Sequence, residues 1–248
     1  MRTELVQGYR LIKELGRGVV SFGSARARPG ERWYDLSREF SRECAMLLSS
    51  TMWSGAGPGL MQSTLEGGNE SGVTIAGIKI HLENGQSKFE QKTTPVLPPE
   101  NVVQCGFFGP RKVLLVDAGM RQREEDRTAF VFFPGGFGTL DELFEVLTLK
   151  QLNKLGTSHP IPILLMNYDD HFSGTLQQVQ DNVKMGTLNP EDLELFHVCG
   201  TNAQGLDALA DHYGIPEEQR TYRGTLIDMD TLPPQPPMDP NGRKVEPQ

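Results

Sequence analysis

Short apolar runs alternate along this chain with segments whose apolar residues recur every three or four positions. "GVVSFGSARA" (Gly18–Ala27) reads as a short buried strand ending in a Gly-Ser turn. In "RWYDLSREFSRECAMLLSS", Tyr34, Leu36, Phe40, Ala45, Leu47 and Leu48 have roughly helical spacing. "MWSGAGPGLMQSTLEGGNESG" reads as a strand, a glycine-rich turn and a helix. Pro58 falls in that helix's first turn, where a missing N–H does no harm. "VTIAGIKI" (Val73–Ile80) is a β-branched strand, the polar, proline-bearing "HLENGQSKFEQKTTPVLPPEN" a loop, and "VVQCGFF" another strand. Pro110 opens a helix, "RKVLLVDAGM", and "RQREEDR" is a solvated surface turn. "TAFVFF" is a strand and Gly138 to Leu152 a helix. "IPILLMN" is a strand, "HFSGTLQQVQDNVKMG" a helix, "LELFHVCG" a last strand and "AQGLDALADHYGI" a final helix.

Strands alternating with helices give parallel strands covered on both faces. The expected fold is therefore Rossmann-like, a three-layer α/β/α arrangement on a mainly parallel sheet. It forms a single domain over residues 1–215. After Ile215 the chain turns Pro-rich and polar, so 216–248 reads as an extended or disordered C-terminal tail.

Charge and cysteine usage narrow the function. The net charge of -8 argues against a general grip on nucleic acid, though not against a small phosphate ligand. No run approaches the ~18 apolar residues of a membrane helix, and "MRTELVQGYR" is not a secretory signal. Cys44, Cys105 and Cys199 have neither disulfide nor metal spacing, which suits a reducing, cytoplasmic setting. His81, His159, His171, His197 and His212 form no ligand pair, so they read as surface or loop residues and no metal site is expected.

The chemistry gathers at "AFVFFPGGFGTLDELFEVLTLKQL", Ala129 to Leu152. An apolar run stops at a proline, passes three glycines in four residues and restarts as a helix. In an open parallel sheet, ligands bind beyond the carboxyl ends of the strands. Gly135, Gly136 and Gly138 free the backbone and let a ligand approach without a Cβ in the way. A helix starting near Thr139 would aim free N–H groups at the turn, making an anion site, most simply for phosphate. A plainer reading is a tight connection, with Thr139 and Glu142 as a capping box. "SGAGPG" (Ser54–Gly59) and "FGSA" (Phe22–Ala25) are two further bare turns after strands. Three such turns at one sheet edge would surround a shared crevice of nucleotide size.

"PGGFGTLDE" resembles the PGGxGTxxE signature of the Lonely Guy (LOG) family, long labelled lysine decarboxylases. "FGSARA", "SGAGPGLMQSTLEGG" and "FFGPRKVLL" fall in the family's order, and the likeness runs from Gly18 to about Val198. The resemblance implies a phosphoribohydrolase. It would release the free base from a purine (cytokinin) riboside 5′-monophosphate, such as AMP or isopentenyladenosine monophosphate, without metal or cofactor. It implies Arg111 and Glu142 as catalytic residues and a homodimer or higher even oligomer. An apolar surface most of the way round the 138–152 helix fits such an assembly. Gly23, Ser24, Gly55, Gly57, Lys112, Gly135, Gly136, Gly138, Thr139, Glu145 and Thr148 complete the expected substrate site. No lysine has a context suited to a pyridoxal phosphate Schiff base. A non-catalytic nucleotide or molybdenum-cofactor carrier is the competing reading, since such carriers resemble this fold. Two departures stand out. Ala56 replaces a usual glycine, where its methyl would narrow the pocket. "RQREEDR" is an insertion that would alter substrate range if it lay near the crevice.

Overall fold

The computed structural model describes residues 1–81 and 93–236. Most of the polar loop expected after Val73–Ile80 lies outside these residues. Seven strands form one sheet: β1 (Gly18–Phe22), β2 (Thr51–Ser54), β3 (Ile75–Ile80), β4 (Val102–Cys105), β5 (Ala129–Phe132), β6 (Ile163–Met166) and β7 (His197–Cys199). Their order is β4-β3-β2-β1-β5-β6-β7, and every pairing is parallel. Seven α-helices among the described residues cover it: α1 (Arg2–Leu15), α2 (Arg32–Leu48), α3 (Leu60–Glu70), α4 (Phe108–Gly119), α5 (Phe137–Gln151), α6 (Ser173–Lys184) and α7 (Asn202–His212). The expected Rossmann-like α/β fold is what the chain forms.

The strands are continuous apolar runs because both faces of the sheet are covered. Every residue of β1, β2, β5 and β6 is buried. One core holds Phe40, Leu65, Phe133 and Leu206, from the face carrying α2, α3 and α7. The other holds Leu11, Leu114, Leu143 and Phe172, beneath α1, α4, α5 and the start of α6. In that second core Phe22 and Phe132 stack at 4.8 Å, a contact worth about 0.5–1.5 kcal/mol beyond its buried area.

The strand order reverses between β1 and β5. The helix after β1 goes to one face and the helix after β5 to the other. The two loops therefore part at the carboxyl edge and leave a crevice, the usual ligand position in open α/β sheets.

Several expectations shift. Pro58 precedes the helix, whose cap is Gly59. Pro110 sits inside the first turn of α4, two residues past its start at Phe108. "RQREEDR" lies at the opposite edge of the sheet. Arg121 donates to Pro160 O ahead of β6, and Ser50 Oγ, ahead of β2, donates to Arg127 O. That insertion does not reach the crevice.

The tail also departs from its expectation as far as residue 236. It turns through three short 3-10 segments and is held on the domain. Tyr222 is buried and donates to Asp207 Oδ1 at 2.7 Å. Ile227 N donates to Glu39 Oε1 at 2.7 Å.

Candidate functional site

The crevice is a cavity of about 1100 Å³. The loop after β1 lines it with Gly23, Ser24, Ala25, Arg26 and Ala27. The turn after β5 contributes Gly135, Gly136, Phe137, Gly138 and Thr139, and α5 adds Leu140 and Glu142. Met61, Ile80, Phe108 and Arg111 wall one end. Trp33, Asp169, His171, Pro234, Gln235 and Pro236 wall the other.

The three bare turns are stitched together at Ser24. Its N–H donates to Pro134 O at 3.0 Å, and its carbonyl accepts from Leu60 N at 2.8 Å. Gly59 has φ +72, and a Cβ there would lie 2.2 Å from Ser24 O. A Cβ on Gly23 would meet Leu60 Cβ at 2.8 Å. The Ser54–Gly59 turn therefore braces the crevice from behind, and neither Gly55 nor Gly57 lines it. Gly55 makes room for an arginine, since a Cβ there would sit 2.4 Å from Arg111 Nη2.

The glycines after β5 serve close approach, and none has a positive φ. A Cβ on Gly135 would strike Thr139 Oγ1 at 2.1 Å, while Gly136 and Gly138 face open space. α5 begins at Phe137 with Gly136 as its cap. Thr139 is thus already inside the helix and cannot cap it, so the Thr139–Glu142 capping box does not form. Glu142 has another partner.

That partner is Arg111, whose Nη1 donates to Glu142 Oε1 at 2.5 Å. Both side chains are about nine-tenths buried. Burial pushes the Glu142 carboxyl above its ordinary range, and the Arg111 charge and hydrogen bond oppose that shift. Arg111 Nε is buried without a hydrogen-bond partner. Because Nε is closed off, any clamp on a ligand oxygen falls to the terminal guanidinium nitrogens at the cavity wall.

Lys112, one residue on, points away from the cavity. Its Nζ lies 2.8 Å from Asp141 Oδ2 and 3.4 Å from Glu145 Oε2. Burial works to lower the ammonium's pKa, but these carboxylates raise it. Glu145 is thereby engaged outside the crevice, and Thr148 is exposed away from it. Ala56 also fails to narrow the pocket. It is fully buried, left-handed at φ 54, and its methyl faces Gly77.

Sequence reasoning missed the Trp33 end. His171 Nε2 lies 3.1 Å from Gly135 N and 2.9 Å from Gly135 O, so this histidine props the glycine turn. Trp33 packs edge-on against it, ring centroids 5.1 Å apart, and donates to Asp169 Oδ2 at 2.8 Å. Local sequence around "NYDDHF" carries no signal for this, because the contacts are tertiary. Among the described residues, no three His, Cys, Asp or Glu side chains converge on a metal position. No helix there is long and apolar enough to cross a membrane.

A parallel sheet with a glycine turn and a buried Arg–Glu pair at its switch point defines an open α/β protein with a crevice large enough for a small-molecule ligand. The model of the family described as "Possible lysine decarboxylase" matches residues 61–209. The chain belongs to this family, the LOG family. It is 25% identical over 183 residues to the cytokinin riboside 5′-monophosphate phosphoribohydrolase of Rhodococcoides fascians, covering 74% of this chain and 84% of that one. With LOG3 of Arabidopsis thaliana, of the same printed activity, it shares 35% identity over 119 residues, 46% of this chain and 53% of that one. With the probable rice enzyme LOGL3 it shares 30% over 109 residues, 42% and 49% of the two chains. The match thus spans about half the length of these plant relatives. Among solved structures, the molybdenum cofactor carrier protein of Chlamydomonas reinhardtii has a TM-score of 0.52 at 14% identity, covering 80% of this chain and 99% of that one. The structural-genomics target TM1055 has a TM-score of 0.54 at 17% identity, covering 79% and 99%. These two likenesses concern the fold.

Proposed function

We propose that this chain is a phosphoribohydrolase that cleaves the N-glycosidic bond of a purine nucleoside 5′-monophosphate. The observation that carries this reading is the buried Arg111–Glu142 pair, one helical turn from a glycine turn suited to phosphate. A carrier needs the glycine turn alone. A buried carboxylate held against an arginine is costly, and chemistry at a developing cation gives it a purpose.

In this mechanism the phosphate rests on the amino end of α5, where free N–H groups and the helix dipole favour an anion. The sugar then reaches along the first turn of α5 toward Glu142. As the C1′–N9 bond breaks, C1′ becomes cationic, much as in glycoside hydrolysis. The Glu142 carboxylate stabilises that charge, and Arg111 holds the carboxylate in place while a terminal guanidinium N–H reaches a ribose or phosphate oxygen. Water adds its oxygen to C1′, and its proton goes to the departing purine. The products are ribose 5-phosphate and the free base.

A second copy of the chain is the proposed partner. Arg111 and Lys112 tie α4 to α5, and this pair of helices leaves Phe108, Val113 and Phe144 about half exposed, with Leu152 just past the end of α5. Three buried free thiols support a reducing, cytoplasmic setting. The deciding experiment is chromatography of AMP and isopentenyladenosine monophosphate after incubation with purified protein. Free base and ribose 5-phosphate are expected. Tight binding with no base released would make the protein a carrier.

A further inference from the structure

The glycine turn stands between two ends of one cavity, and the proposed reaction uses only one of them. Gly135 is propped by His171, on the Trp33 side. Glu142 is paired with Arg111, on the Phe108 side. A nucleoside 5′-monophosphate with its phosphate on the turn and C1′ at Glu142 fills the Arg111 end. The Trp33 end is left, within a total volume of about 1100 Å³. That is just above the ~300–1,000 Å³ range of small-molecule pockets.

This second end is a built wall. Arg32, whose side chain is 10% exposed, bonds Asp169 Oδ1 at 3.0 Å and Leu232 O at 3.1 Å, and also Met229 O. Trp33 N donates to Gln235 Oε1 at 3.0 Å. The C-terminal strap is thereby tied to α2, and Pro234 and Pro236 line the same cavity as Trp33. An indole and two proline rings make an apolar slot suited to a flat heterocycle. With Gly135 held by His171 and Glu142 by Arg111, a ligand whose sugar points to Glu142 would meet that slot from the far side of its phosphate.

We infer that the Trp33–strap end is a second subsite, for a ring joined to the nucleotide through its phosphate, as in a dinucleoside diphosphate. This rests on the phosphate and sugar placement proposed above. The probe is two adenosines joined 5′ to 5′ through a diphosphate, compared with AMP by titration calorimetry. The dinucleotide is expected to bind at least tenfold more tightly than AMP. Trp33→Ala should erase that advantage and leave AMP affinity within about twofold. Because Trp33 also touches His171, the double change Pro234→Gly, Pro236→Gly is the second variant, with the same outcome expected. Equal affinity for the two ligands, or equal weakening of both in either variant, would overturn the subsite. Failure to bind AMP at all would sink the phosphate placement as well, so the two failures are distinct.

Discussion

Glu142 is where a single atom's charge separates chemistry from architecture. Glu142→Gln keeps an oxygen for Arg111 but removes the negative charge. Turnover of AMP is expected to fall about 100-fold or more, the scale of losing one preorganised electrostatic group, with AMP binding retained by calorimetry. Near-parental turnover would leave the site without its carboxylate. The pH dependence follows from burial. Because burial holds the Glu142 carboxyl above its ordinary 4.5, the active carboxylate forms only at higher pH. The acid limb of the rate profile should therefore have its midpoint above 4.5 and vanish in Glu142→Gln. Stability has the opposite slope. The protonated native form is favoured, so that contribution is complete below 4.5 and lost as pH rises through the folded value. Gly55→Ala tests the same pair from behind. Its Cβ would sit 2.4 Å from Arg111 Nη2 and 2.7 Å from Met61 Sδ. Both are ends of flexible side chains, so the fold should survive while Arg111 moves. A tenfold or larger loss of turnover with a melting temperature within a few degrees is expected.

At the scale of elements, α4 and α5 make one unit, bound by Arg111–Glu142 and by Lys112 with Asp141 and Glu145. If the proposed dimer forms through their exposed apolar side chains, Phe144→Glu with Val113→Glu is expected to give a monomeric mass in light scattering where the parent chain gives a dimer. Unchanged mass would move the interface elsewhere. The alternation of elements was legible in the sequence because buried parallel strands are continuous apolar runs, as in "AFVFF". α1 was not. Its apolar face, Leu5, Leu11, Ile12 and Leu15, is interrupted by Gly8, and that glycine is where the helix meets α4: a Cβ there would strike Leu114 Cδ1 at 2.2 Å. The Arg111–Glu142 pair was named through its motif. Local pattern offered a capping box instead, because Thr139 and Glu142 have the spacing, and only the true helix start at Phe137 rules it out. Lys112, Glu145 and Thr148 were misplaced because a neighbour in sequence, or one turn along a helix, can face a different partner.

Across the whole molecule, burial silences the cysteines. It pushes the thiols of Cys44, Cys105 and Cys199 up to about 12, 11 and 11. A thiolate is the reactive form. Ellman's reagent at pH 8 should therefore find no thiol in the native protein and all three after denaturation. Rapid labelling of the native chain would contradict this burial.

The charged loop 120–128 lies at the amino edge of the sheet, a full strand's length from the chemistry. An inserted peptide or a fluorophore at Glu125 would thus report on the molecule without entering its reaction. It also follows that the length of this loop can vary without altering the lining of the crevice. Its variation can record descent while saying nothing about substrate.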